Sequence, residues 1–338
     1  MPELNENVLE IRDLKTYFYG EEGELPAVDG VSISVKRGKV LALVGESGCG
    51  KSVTSFSVLR LIQDPGRIAG GQILLHSSDG KTTDIAGLAN KSEMLYQVRG
   101  GLVSMIFQEP MTALSPVHSI GNQVCEAILL HQDVTKAEAE DQAVEMLSRV
   151  GIPGPQERMR QYPHELSGGM RQRVIIAMAL ACKPELLIAD EPTTALDVTI
   201  QAQVLGVIKQ LQSELGTSVL FVTHDLAVVA QMADEVAVMY LGRIVEEGTV
   251  RQVLKEPLHP YTRALLKSLP GLGKPGEPLP SIAGSVPFLT EIPTGCPFHP
   301  RCSYAQAGRC DVGSPPELRR ITGDHSAACI RAEEIQGK

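Results

Sequence analysis

The feature that most constrains this chain is a strand, a glycine-rich loop and a helix in direct succession. VLALVG (40–45) is an unbroken apolar run of the kind buried on both faces of a sheet. GESGCGKS (45–52) follows, fitting the spacing G-x-x-x-x-G-K-[ST], and KSVTSFSVLRLI (51–62) continues with helical periodicity. Gly45, Gly48 and Gly50 let backbone N–H groups curl around an anion, with Ser47 and Cys49 between them. Lys51 can reach terminal phosphates as a point charge. The Ser52 hydroxyl can ligate Mg²⁺, and the helix start favours negative charge. Cys49 has two readings: a small tolerated side chain, or a thiol made sensitive by the helix N-terminus.

Two further apolar runs, ELLIADEP (185–192) and SVLFVTHD (218–225), flank the helical pattern of 200–216. Strands alternating with helices predict an α/β fold with a largely parallel sheet. Asp190 at a strand end suits Mg²⁺ held through water. Glu191 is free to polarise an attacking water, and His224 could contact a terminal phosphate. Either acid alone would read as a solvated strand edge, and the upstream loop gives them meaning. Residues ~109–165 read as mostly helical, with Gly151 as a stop.

The chain has 338 residues, a net charge of −9 and mean hydropathy near zero. An acidic chain without a long basic block is a poor nucleic-acid binder. The polar, acidic start lacks the order of a secretory signal. The longest apolar candidate, VIIAMALAC (174–182), is about half of what a bilayer requires. The expectation is a cytoplasmic protein whose membrane contact goes through a partner.

LSGGM (166–170), followed by RQRVIIAMAL, resembles the signature motif of ABC ATPases. Ser167, Gly168 and Gly169 open its helix. Gln108 in FQEP resembles the Q-loop, Ala195-Leu196-Asp197 the D-loop and His224 the H-loop. The motifs run in family order from ~8 to ~250. Met170 departs from the usual Gln, but the residues that touch phosphate are intact. The resemblance implies a P-loop NTPase: an ABC nucleotide-binding domain over 1–255, with a helical subdomain at about 109–180. It implies ATP and Mg²⁺, with Ser52, Gln108 and Asp190 at the metal. Glu191, His224 and Gln108 would be catalytic, and Phe18 would stack on adenine, with Tyr17 and Tyr19 as neighbouring choices. ATP would lie between the phosphate loop of one subunit and residues 167–169 of another, closing a dimer that hydrolysis reopens.

IFQEPMTALSP (106–116), the stretch 162–203 and HPYTRALLKSLP (259–270) are similar to the peptide and nickel importer group. That similarity implies import of di- or oligopeptides. It also implies a second, distinct ABC ATPase, two membrane permease subunits and an extracytoplasmic binding protein, at the cytoplasmic face of the cell membrane. Nickel or another small solute, and a soluble non-transport ABC ATPase, are the alternatives.

Residues 256–338 read as a loop-rich C-terminal extension, with ten prolines between 270 and 316. Such a segment needs something other than a large core to hold it. Cys296, Cys302, Cys310 and Cys329 lie within it, without the C-x2-C pairs of a zinc ribbon. A cytosolic setting favours metal or free thiols over disulfides. GCPFHPRCSYAQAGRC resembles the extension that carries a 4Fe–4S cluster in some peptide-importer ATPases. Zinc and unmetallated thiols stay open.

Overall fold

The computed structural model describes residues 5–21, 23–108, 113–193, 197–269 and 282–336. The chain divides into two compact units. One comprises Val35–Lys39, Leu74–Phe221 and the residues before Glu10. The other comprises Glu10–Ser34, Val40–Ile73 and everything from Val222.

In the second unit, β1 (Asn7–Gly20) lies between β2 (Gly23–Lys36) and β4 (Gly66–His76) in one sheet. In the other sheet β3 (Val40–Val44) pairs in parallel with β9 (Glu235–Tyr240), Leu43 opposite Ala237. β9 turns back into β10 (Arg243–Thr249), whose far edge pairs antiparallel with β12 (His325–Ala327), followed by β11 (Arg319–Thr322). All five residues of β3 are buried, as an unbroken apolar strand should be. α1 (Lys51–Val58), α8 (Leu226–Met232), α9 (Val250–Lys255), α10 (Pro260–Lys267) and the short α11 (Ala332–Ile335) complete this unit.

In the first unit β6 (Val103–Ile106) and β7 (Leu186–Asp190) are parallel, Met105 opposite Ile188. β8 (Ser218–Thr223) flanks β7, and β5 (Thr82–Asp84) forms a hairpin with the end of β4. α2 (Glu93–Val98) precedes β6. The helical stretch resolves into α3 (Ile120–His131), α4 (Lys136–Arg149), the single turn α5 (Pro155–Arg158) and α6 (Gly168–Leu180), and α7 (Val198–Leu215) follows β7. Thr135 and Glu138 form a reciprocal capping box that starts α4. Gly151, at φ +76, follows its last turn.

The C-terminal segment differs from its expectation in one respect. Phe298, 1% exposed, and Tyr261, fully buried, belong to the core formed by β3, β9, β10 and α8. Tyr240 of β9 meets both rings, with centroids 4.7 Å from Tyr261 and 5.3 Å from Phe298. Such pairs contribute about 0.5–1.5 kcal/mol each beyond their area burial. The segment is thus anchored in the core of its unit despite its prolines, because two aromatic rings carry the apolar surface that short loops lack. Glu246 of β10 makes a second anchor. It is fully buried and accepts from the N–H groups of Leu258 and His259 and from His325 Nε2, each at 2.8 Å. His259 in turn accepts from the Tyr261 N–H, capping α10, with Pro260 in the first turn. The HPY triplet is therefore a helix start wired to a buried carboxylate.

Candidate functional site

In the second unit, residues 45–52 leave the end of β3 and enter α1. Gly48 and Gly50 sit at φ +79 and +105. A side chain at Gly50 would drive its Cβ into the Ala27 carbonyl and to 2.8 Å from the Met239 methyl, so only glycine fits. Gly50 is the N-cap of α1 and supplies no side-chain cap, and the first turn carries no acid. That leaves the helix start suited to an anion.

Lys51 is 5% exposed, and its ammonium donates to the Gly45 and Glu46 carbonyls at 2.8 and 3.0 Å. The lysine is thus held against the loop that it serves. Cys49 is buried, and burial pushes its thiol pKa up, against the opposing pull of Lys51. That favours the small-side-chain reading over the sensitive thiol.

The strand's alternation sets Phe18 on the face opposite Tyr17 and Tyr19. The Tyr17 hydroxyl donates to Asp29 at 2.8 Å, and the Arg67 guanidinium lies 3.9 Å from the Tyr19 ring centroid. Phe18 packs against Gly66, where a Cβ would stand 2.6 Å from the ring. His224 is exposed at the end of β8, and Asp225 caps α8 through the Ala227 N–H at 2.8 Å.

In the first unit, Asp190 ends β7 and is fully buried. Glu191 follows at φ +46, a left-handed conformation that a non-glycine residue adopts at a cost of about 1–3 kcal/mol. Gln108 Nε2 donates to Glu191 Oε2 at 3.3 Å, so the glutamine and the acid chosen from sequence are brought together. Ser167 caps α6 by accepting from the Met170 N–H at 3.4 Å. The Met170 contribution is therefore backbone, and its departure from Gln leaves this cap in place. From the same helix, fully buried Gln172 donates to the Pro192 carbonyl at 2.6 Å. The helix behind the LSGGM motif is thereby tied to the backbone just after Glu191. Asp197 caps α7 through Thr199 and Ile200 at 3.0 Å, whereas Ala195 and Leu196 lie outside the described residues.

The four C-terminal cysteines line one small apolar cavity of about 20 Å³, closed by Phe298, Tyr304 and Ile335. They form no disulfide. Burial pushes the Cys296 thiol up to about 12, reinforced by the neighbouring Cys329, Cys302 and Cys310. Among the described residues, no group of three or more His, Cys, Asp or Glu side chains is arranged to hold a metal ion.

Sequence reasoning missed how this unit grips the phosphate loop. Arg301 donates two bonds to the Glu46 carboxylate, at 2.7 and 2.9 Å, and the Glu46 N–H donates to the Tyr261 hydroxyl at 2.8 Å. No local pattern in the sequence marks this link.

A glycine-rich phosphate loop between a parallel strand and a helix, with a strand-end Asp-Glu pair elsewhere in the chain, defines a nucleotide-binding P-loop protein. Residues 28–194 match the ABC transporter family model, and 245–310 match the oligopeptide/dipeptide transporter C-terminal region. A putative peptide import ATP-binding protein of Brucella melitensis is 51% identical over 335 residues, covering 97% of this chain and 98% of its own. The oligopeptide transport ATP-binding protein AppD of Bacillus subtilis is 49% identical, covering 97% of each chain. The dipeptide transport ATP-binding protein DppD of Haemophilus influenzae is 48% identical, covering 98% of this chain and 97% of its own. Among solved structures, the dimeric bacterial ABC transporter cassette MJ0796 superposes with a TM-score of 0.62 at 25% identity, over 72% of this chain and 99% of that one. The chain belongs to the ABC transporter ATP-binding family, in the branch that carries the oligopeptide/dipeptide C-terminal region. It is an ABC-type ATPase with the P-loop fold.

Proposed function

We propose that this chain is the ATP-hydrolysing subunit that energises import of di- and oligopeptides across the cytoplasmic membrane. The observation that carries this reading is near-complete alignment, at 48–51% identity, with proteins named for peptide import. The oligopeptide/dipeptide C-terminal region supports it and weighs against a nickel importer or a non-transport ATPase. No helix among the described residues is long and apolar enough to cross a membrane. The importer reading therefore calls for two separate permease subunits, a binding protein outside, and a peripheral position at the inner face. A second, distinct ABC ATPase completes the proposed dimer.

In this reading Lys51 and the N–H groups of 45–52 hold the β- and γ-phosphates. By the family resemblance Ser52, Asp190 and Gln108 would each serve Mg²⁺, a role that suits the buried carboxylate at the end of β7. Mg²⁺, when bound, neutralises charge on the transferred phosphoryl group. Glu191, oriented by Gln108, accepts a proton from the attacking water, and His224 faces the γ-phosphate. Phe18 stacks on adenine, and residues 167–169 serve the nucleotide of the opposing subunit.

The four cysteines also belong to this proposal. A single tetrahedral metal requires sulfurs ~2.3 Å from one centre. Among the described residues the four thiols are not grouped for a metal ion as they stand, whether zinc or a cluster, although all four border one cavity. Four cysteines bordering one cavity are the donor set of a 4Fe–4S cluster, which Cys296, Cys302, Cys310 and Cys329 would hold if the cavity of about 20 Å³ opened to admit it. Bound there, the cluster would supply iron–thiolate cross-links between loops. Protein purified without oxygen is expected to be brown and to contain iron, and Cys302→Ser to lose both. Colourless, iron-free wild-type protein would remove the cluster from the account.

The function itself is tested by uptake of a labelled dipeptide or tripeptide in cells lacking this chain. Uptake is expected to return with the wild-type chain and not with Lys51→Ala. Undiminished uptake with Lys51→Ala would overturn the reading.

A further inference from the structure

Glu46 is the second residue of the phosphate loop, and it is held at three points. Its N–H donates to the Tyr261 hydroxyl at 2.8 Å. Its carboxylate receives both Nη atoms of Arg301, at 2.7 and 2.9 Å. Its carbonyl accepts from Lys51 Nζ at 3.0 Å.

Two of these holds come from the C-terminal segment. Tyr261 sits in the first turn of α10 and is fully buried. Arg301 closes the single helical turn His299–Arg301, between Cys296 and Cys302. Its side chain is 4% exposed against 26% for Glu46. Arg301 also donates from Nε to the Ala283 carbonyl at 3.2 Å and from Nη1 to the Tyr240 hydroxyl at 3.4 Å. A planar guanidinium in a two-pronged contact fixes orientation as well as distance. An exposed surface pair would do neither to this degree.

We propose that the C-terminal segment positions the phosphate loop, with Arg301 and Tyr261 as positioning residues that act through Glu46 on Lys51 and so set nucleotide affinity. This rests on the reading that residues 45–52 bind ATP. The route is short and physical. Arg301 orients the Glu46 side chain, Tyr261 restrains its backbone, and the Glu46 carbonyl helps to seat the Lys51 ammonium. The loop would then be preorganised before nucleotide arrives, and its order would depend on the fold of the segment that carries the four cysteines. Neither residue touches nucleotide in this scheme, so the effect falls on binding more than on the hydrolytic step.

The test is the affinity of the full-length chain for a fluorescent ATP analogue with Mg²⁺, read beside thermal unfolding. Arg301→Ala and Glu46→Gln are each expected to weaken binding about tenfold, because a charge-assisted pair is lost at the loop. The double variant should be no weaker than either single one, since both break the same link. Tyr261→Phe removes one oxygen only and should weaken binding about threefold to tenfold. It covers the case in which Arg301→Ala fails to fold. Arg301→Lys, which keeps the charge without the fork, should fall between wild type and alanine. In turnover assays of Arg301→Ala and Tyr261→Phe the loss should appear in KM with kcat nearly kept. Folded variants that bind within twofold of wild type, or losses that follow melting temperature alone, would overturn the proposal. Wild-type protein that fails to bind the analogue would sink the ATP reading itself.

Discussion

Glu191→Gln is expected to bind ATP with near wild-type affinity and to lose hydrolysis by about 10²- to 10⁴-fold, the range for removal of a positioned general base. The substitution keeps size and shape and removes only the ability to accept a proton. Gln108 stands 3.3 Å from the Glu191 carboxylate, so the variant can keep its hydrogen bond. The left-handed backbone at Glu191 is stabilised from behind, where Gln172 holds the Pro192 carbonyl at 2.6 Å. Position should therefore survive while chemistry is lost. Steady-state phosphate release and filter binding of labelled ATP separate the two. Hydrolysis above a tenth of the wild-type rate would remove Glu191 from the catalytic role.

Gly50→Ala is expected to abolish ATP binding and to destabilise the fold. Gly50 stands at φ +105, and a methyl group there meets the Ala27 carbonyl and the Met239 methyl. The left-handed backbone costs an L-residue about 1–2 kcal/mol, and overpacking adds about 1–3 kcal/mol. The clash lies where β3 gives way to α1, so relief of it shifts the loop whose N–H groups are proposed to hold the phosphates. Gly168→Ala is the control, because a Cβ there meets nothing within 4 Å. Its melting temperature should stay near wild type. Equal losses of melting temperature in both variants would show that neither space nor φ singles out Gly50.

The phosphate loop, the strand-end acids and the helix behind LSGGM were legible in the sequence because their rules are local. An apolar strand, glycines at fixed spacing and a Ser N-cap each speak within a few residues. The Gln108–Glu191 contact spans 83 residues: the sequence singled out each residue but not their meeting. The link from Arg301 to Glu46 spans 255 residues and has no local signature. The same holds for the cavity shared by the four cysteines, since spacing such as x5, x7 and x18 does not say which loops converge. The prolines of the C-terminal segment suggested that something other than a large core holds it. Phe298 and Tyr261 reversed that, because burial of a ring depends on the partner that receives it.

ATP turnover by this chain is expected to drive peptide import. The most direct measurement is phosphate release by the assembled importer in sealed vesicles, with and without binding protein loaded with a short peptide. Peptide-loaded binding protein is expected to raise hydrolysis severalfold, and peptide accumulation to stop in complexes carrying Glu191→Gln. Hydrolysis indifferent to peptide, with accumulation unchanged by Glu191→Gln, would contradict it.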